Sequence, residues 1–192
     1  MLTATYSLVA IAAEQDTARS RLDRLQKYIH SAWKSLQNID FGFIENALNK
    51  LMQFDKYCRT RKIEMYLIPA LRNATREADT LVEELDALSS AATNILRSIG
   101  EQLTATFFAG RIRFSEICQA MDLYCRKLAM RLEREEQELL PMARSHFSTE
   151  EWFSIAAQFL SDETTALGRR RKRRPAHRMA VPIGSRMVNV RS

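Results

Sequence analysis

RLEREEQELLPMA, residues 131–143, is the stretch whose reading decides the fold. Ile117, Met121, Tyr124 and Leu128 set up an apolar stripe before it, and Leu139 and Met142 resume that stripe within it. Between them the helical period demands core, yet the chain places Arg131 and Glu135 there. These two are i,i+4 neighbours and share one helical face, so they can pair. An unpaired ion in a core costs several kcal/mol, so the two groups must satisfy each other or reach water. Two readings follow. Arg131 either snorkels to solvent at the end of a bundle with Glu135 following it, or both belong to a structured buried network.

Working outward, three further helices carry a stripe. The first is expected from Leu2 to Leu36, with Leu8, Ile11, Ala18, Leu22, Leu25, Ile29, Trp33 and Leu36 inward and Gln15 filling the single gap. The second is N-capped by Asp40 and begins Phe41, Ile44, Leu48, Leu51. It loses phase between Cys58 and Met65 and should end or kink at Pro69. The third carries Leu81, Leu85, Leu88, Ala92, Ile95, Ile99 and Leu103, and Gly110 interrupts the loop after it. A short fifth helix is expected from the capping box Ser148–Glu151, with Trp152, Phe153 and Ile155 behind it.

With only five glycines and four prolines in 192 residues, the expectation is all-α. The predicted architecture is an antiparallel up-down four-helix bundle over residues 1–164, with the short fifth helix against it. After about Thr164 the period is lost, and residues 165–192 read as a basic disordered tail. Residues 168–192 hold nine Lys/Arg and no acid, so the formal charge of +6 conceals a mildly acidic globule and a strongly cationic end. Cys58, Cys118 and Cys125 have no CxxC spacing and read as buried free thiols. The N-terminus lacks a basic leader and runs on into helical pattern, and no apolar stretch reaches membrane-spanning length. A reducing, cytoplasmic setting is expected.

Residues 131–152 (RLEREEQELLPMARSHFSTEEW) resemble the last bundle helix of hemerythrin-like (HHE cation-binding) proteins and the short helix that follows it. IDFGFIENALNKL (39–51), leading to KIEMYLIPAL (62–71), is similar to that family's second helix. IAAEQDTARSRLDRL (11–25) and LVEELDALSSAATNIL (81–96) resemble its two Glu-His helices more weakly. The likeness spans roughly residues 5–160 and implies a bacterial protein with a non-haem di-iron centre held by inward histidines and two carboxylates.

Here the expected ligands are mostly replaced. Gln15 follows Glu14 where the family has Glu-His, and Leu85 follows Glu84 likewise. The family's His-His-x-x-Glu segment is shortened to Tyr57–Glu64, and Arg131 stands for the last histidine. Glu135 persists, and Glu64 matches with a one-residue offset. His30, His146 and His177 lie too far off to substitute. The resemblance thus marks Gln15, Glu64, Leu85, Arg131 and Glu135 as remnants of a degenerate site with no cofactor expected, di-iron entering only if the remnant still binds. A guanidinium at 131 beside Glu135, bridged by Gln15, can assume the charge-neutralising role of the metal.

Three functions follow as expectations. The first is a metal-free interaction or regulatory scaffold with an unidentified protein partner. The second is an oxygen- or redox-sensing iron protein built on Glu14, Glu64, Glu84 and Glu135 with Gln15. The third is salt-sensitive binding of nucleic acid or anionic membrane through Arg169, Arg170, Arg171, Lys172, Arg173 and Arg174, against the plainer reading of a solvated terminus. No aromatic is interleaved among those cations, which argues against base stacking. Catalysis is not expected: there is no nucleophile–base pair, Gly-rich phosphate loop or HExxH, and Glu135–Glu136 and Glu150–Glu151 are adjacent positions that diverge on a helix.

Overall fold

In the computed structural model, residues 2–34, 40–109 and 114–173 are described, and they are helical with short connections and no strand. Helix α1 spans Leu2–Lys34 and α2 spans Phe41–Cys58. Asp40 caps α2 as its sequence position demands, its carboxylate accepting from the Phe43 N–H at 2.7 Å. Trp33 and Leu36, expected on the first stripe, and Gly110 fall outside the described side chains.

The second helix departs from expectation. It does not run to Pro69 but breaks at residues 59–62, restarts as a π-helical turn over Ile63–Leu67, and continues as α3, Ile68–Ala74. Pro69 sits in the first turn of α3 rather than ending anything. The widened turn explains how. The Ile68 N–H bonds back to the Ile63 carbonyl, five residues earlier, so the register has slipped by one before the proline arrives. That slip relieves the clash a proline ring makes with the carbonyl four residues back.

The same device recurs farther along the chain. A 3₁₀ turn, Arg76–Ala78, leads into α4, Asp79–Ala109, and α5 spans Phe114–Arg134. A second π turn, Glu135–Leu139, then feeds α6, Leu140–His146, with Pro141 in its first turn. The extra residue rotates the inward face: Ala143 is fully buried, and Met142, expected inward, is only half-buried.

Helix α7 starts at the expected capping box. Ser148 Oγ accepts from the Glu151 N–H at 3.2 Å while the Glu151 carboxylate accepts from the Ser148 N–H at 2.7 Å. It is not short: it runs from Thr149 to Arg173, so residues 165–173 are helical rather than part of an irregular tail, and residues 174–192 lie outside the described residues. By internal packing the chain divides into a unit of residues 1–159 and a second of residues 160–192.

Within the first unit the buried side chains form two apolar clusters. One gathers Ala18, Leu22 and Ile29 of α1 with Leu51, Cys58, Ile99, Tyr124 and Leu128. The other gathers Ile11 with Ile63, Leu67, Leu85, Leu139 and Trp152. Every helix that contributes to both clusters changes from one to the other at a polar residue. Among the described residues no helix is long and apolar enough to cross a membrane.

Candidate functional site

The polar level between the two clusters is built around Glu135, which is fully buried. On α1, Gln15 lies between Ile11 and Ala18; after α2, Arg61 lies between Cys58 and Ile63. On α4, Ser89 lies between Leu85 and Ala92, and Arg131 stands one turn before Glu135 where α5 meets the second π turn. Of the sequence-derived set, Gln15, Glu64, Arg131 and Glu135 come together. The network reading holds, and the snorkelling reading fails, because Arg131 is only 3% exposed.

Arg61 is the residue that sequence reasoning missed, and it is the centre of the arrangement. It is 1% exposed and grips Glu135 bidentately, Nη1 to Oε2 at 2.8 Å and Nη2 to Oε1 at 2.7 Å. The same Nη1 donates to Gln15 Oε1 at 2.6 Å, and Nε donates to the Cys58 carbonyl at 3.3 Å. Gln15 Nε2 donates to Glu135 Oε2 at 2.9 Å, and Arg131 Nε donates to Glu135 Oε1 at 2.8 Å. Glu135 therefore accepts four hydrogen bonds, the capacity of a carboxylate.

Arg131 spends its other donors on the Leu85 carbonyl at 3.0 Å, on Ser89 Oγ and on Glu64 Oε1, and Glu64 also lies 3.7 Å from Arg61. Two guanidiniums face two carboxylates, with one neutral amide between them, so the layer is balanced in charge. Leu85 takes part only through its backbone; its side chain is core.

The break at residues 59–62 is what points Arg61 inward. Restarting the helix there would orphan the N–H of Lys62, and the Glu14 carboxylate of α1 caps it. Glu14 and Gln15, adjacent on α1, thus clasp adjacent residues of the turn. Glu84, the other acid considered as a ligand, is half-exposed and pairs with Arg134 at 2.5 Å. The surviving signals for Arg61 and Ser89 were weak. Arg61 stands three residues before Glu64, and Ser89 is four residues after Leu85 on a stripe otherwise read through Leu88.

Burial pushes the Glu135 carboxyl up, but the charge and hydrogen bonds of Arg61 and then Arg131 outweigh it and hold the group below the usual carboxylate range. Glu64 goes the other way: burial raises it, and Arg131 only partly compensates. Arg61 is pushed above its ordinary range, the Glu135 contacts overcoming burial. The Cys58 thiol beside them is pushed up to about 12 by burial, which removes it as a nucleophile near neutral pH. A cavity of about 300 Å³, lined in part by Asp55, Glu64, Asp86, Ser89 and Arg131, borders the layer on the Glu64 side.

The di-iron group implied by the resemblance does not fit these residues. All four acceptor positions of Glu135 are engaged, two permanent cations stand where ligands would converge, and Leu85 offers only an apolar side chain. Among the described residues no three His, Cys, Asp or Glu side chains group as ligands for an ion. Of the basic set, Arg169, Arg170, Arg171, Lys172 and Arg173 fall on the backbone of α7, and Arg174 lies outside the described residues. Compared with protein-family models, with curated proteins and with solved structures, the chain finds no match.

Proposed function

We propose that this chain is a hemerythrin-like, antiparallel up-down four-helix bundle with a degenerate di-iron site, working as a metal-free interaction or regulatory scaffold and not as an enzyme. A cytoplasmic setting belongs to the same proposal. The observation that carries it is the bidentate grip of Arg61 on Glu135, completed by Arg131 and Gln15. A guanidinium supplies, at the middle of a bundle, the positive charge a metal would bring, and its planar fork matches the carboxylate. The resemblance places lost ligands at 15, 85 and 131, and two of those three positions now belong to the network through their side chains.

An iron-dependent oxygen or redox sensor is less well supported, since Glu14 caps a helix and Glu84 pairs at the surface. Elemental analysis of protein expressed in iron-supplemented medium, with an absorbance spectrum alongside, tests the reading. Metal far below one equivalent per chain is expected; a stoichiometric iron pair with an oxo-bridge band overturns it.

A second reading is favoured by one observation: α7 carries Arg169–Arg173 on continuous helix, which concentrates five cations along about 6 Å of axis. Such a density suits salt-sensitive binding to nucleic acid or anionic lipid. Retention on heparin should fall sharply when residues 168–192 are removed, and unchanged retention excludes this role.

A further inference from the structure

Away from the buried layer, α1 and α2 bound an open groove of about 480 Å³. Helix α1 contributes Arg21, Arg24, Leu25 and Tyr28, and α2 contributes Lys50, Gln53 and Phe54. The spacing is the same on both helices, i, i+3, i+4 and, counting Tyr57 on α2, i+7, so each set forms one face. The two faces meet in opposite chain directions. Arg21 Cζ lies 4.2 Å from the centre of the Tyr57 ring at one end, and Lys50 Nζ lies 5.6 Å from the centre of the Tyr28 ring at the other. Each end of the groove thus carries a cation laid over a ring of the facing helix, with Arg24 between them.

These three cations stand around one concavity. On α1 Arg19 and Lys27 are each paired with a carboxylate. Among the described residues Arg21, Arg24 and Lys50 have no ion-pair partner, and Arg24 donates only to the backbone carbonyl of Ser20. Three cations without an ion-pair partner around one concavity add to a local positive potential. The floor is apolar: Phe54 is buried, and Tyr28 packs on Phe43 with ring centres 5.0 Å apart. Cation–ring contacts also hold the two charged heads in place, which lowers the ordering cost of binding.

We propose that this groove binds a small organic anion that joins an extended run of negative charge to a flat ring, the chemistry of a nucleoside triphosphate. The extension follows from the geometry. Arg21 and Tyr28, the level of Lys50, are seven residues apart, about 10 Å along the axis. A single phosphate reaches one end only, whereas a phosphate chain can engage Arg24 and both ends. The ring has an apolar bed in Leu25 and Phe54. This site is independent of the metal-free reading given above.

Calorimetric titration of the full chain at fixed moderate salt tests it, with ATP, adenosine and inorganic tripolyphosphate as the three probes. ATP is expected to bind more tightly than either fragment. Arg21→Gln/Lys50→Gln together, and Arg24→Gln alone, should each weaken ATP about tenfold or more, since each removes charge-assisted hydrogen bonds. Arg144→Gln, an exposed cation outside the groove, should leave it unchanged. Thermal melts of the variants separate loss of the site from loss of the fold, and Arg24, exposed and held only by its own helix, gives the cleaner variant. ATP affinity equal in wild type and in the groove variants overturns the proposal by placing binding outside the groove. Absence of ATP binding overturns it outright, and tripolyphosphate binding as tightly as ATP overturns the ring subsite.

Discussion

Replacing Arg61 with methionine keeps most of the apolar stem and removes one charge from the buried layer. Glu135 then loses two short charge-assisted bonds, at 2.8 and 2.7 Å, while remaining fully buried. Breaking a buried pair in this way costs about 3–5 kcal/mol, and Arg131, still 2.8 Å from Glu135, places the variant at about 3. With a urea slope of about 2 kcal/mol per molar, the midpoint of unfolding should fall by about 1.5 M at pH 7. The sharper check is a double-mutant cycle with Glu135→Gln. In the wild type that change strands Arg61 and destabilises; with methionine at 61 it restores neutrality, leaving Arg131 opposite Glu64, and stabilises. The acid limb should invert as well. With Arg61 present, the Glu135 carboxyl is depressed, so its stabilising contribution is complete above the unfolded value near 4.3 and disappears as pH falls through the folded one. Without Arg61, burial dominates, the folded value rises, and protonation stabilises. An effect of Glu135→Gln with the same sign in both backgrounds refutes the charge-balance argument.

Arg131→His should lower stability by about 3 kcal/mol in urea denaturation at pH 7, because an imidazole cannot reach Glu135, Ser89, Glu64 and the Leu85 carbonyl together; a gain on that substitution, with or without added iron, sinks the network account. Glu64 has a raised carboxyl, so its contribution is complete below the unfolded value near 4.3 and is lost as pH rises through the folded value. Thermal melts of Glu64→Gln across that window should therefore lack the decline with rising pH expected in wild type, and a decline of equal size in both rules out Glu64 as its source. Cys58 and Cys125, each pushed up to about 12 by burial, and Cys118, also raised, should resist a thiol-exchange reagent at pH 8 until urea unfolds the chain. Rapid reaction of any of the three in native protein contradicts their burial.

The parts of this layer that were legible in the sequence were those lying on unbroken helical phase. Gln15 interrupts a stripe whose other members are apolar, and Arg131 and Glu135 interrupt another, so periodicity marked these three positions as inward, while the choice between a buried network and snorkelling waited for the structure. Arg61 was illegible for a physical reason. It lies in a four-residue break, where the period is undefined, and its inward direction depends on a cap supplied by Glu14 from a different helix. The π turns before Pro69 and Pro141 were hidden as well: at Pro69 the proline reads as a terminus or kink unless a register slip precedes it, and at Pro141 the stripe was carried straight across the slip. That slip also turned the inward position from Met142 to Ala143. The length of α7 was missed because its cationic end has no apolar period to follow.

A continuous apolar core would have been the simpler way to fill the same volume, and replacing buried ions with well-packed apolar groups is often neutral or stabilising. What an apolar filling cannot do is distinguish one axial register of the helices from another. Leu, Ile and Ala recur along every stripe here, so sliding one helix by a turn, about 5.4 Å, would still set apolar groups against apolar groups. With the layer in place the same slide carries Gln15, Arg61, Ser89 or the Arg131–Glu135 pair into an apolar cluster and leaves ions unpaired on both sides of the step. Register is what such a network can enforce, and the sign reversal expected for Glu135→Gln tests the charge requirement on which that selection depends. A layer that tolerates either charge state has no power to select a register; one that requires Arg61 opposite Glu135 does.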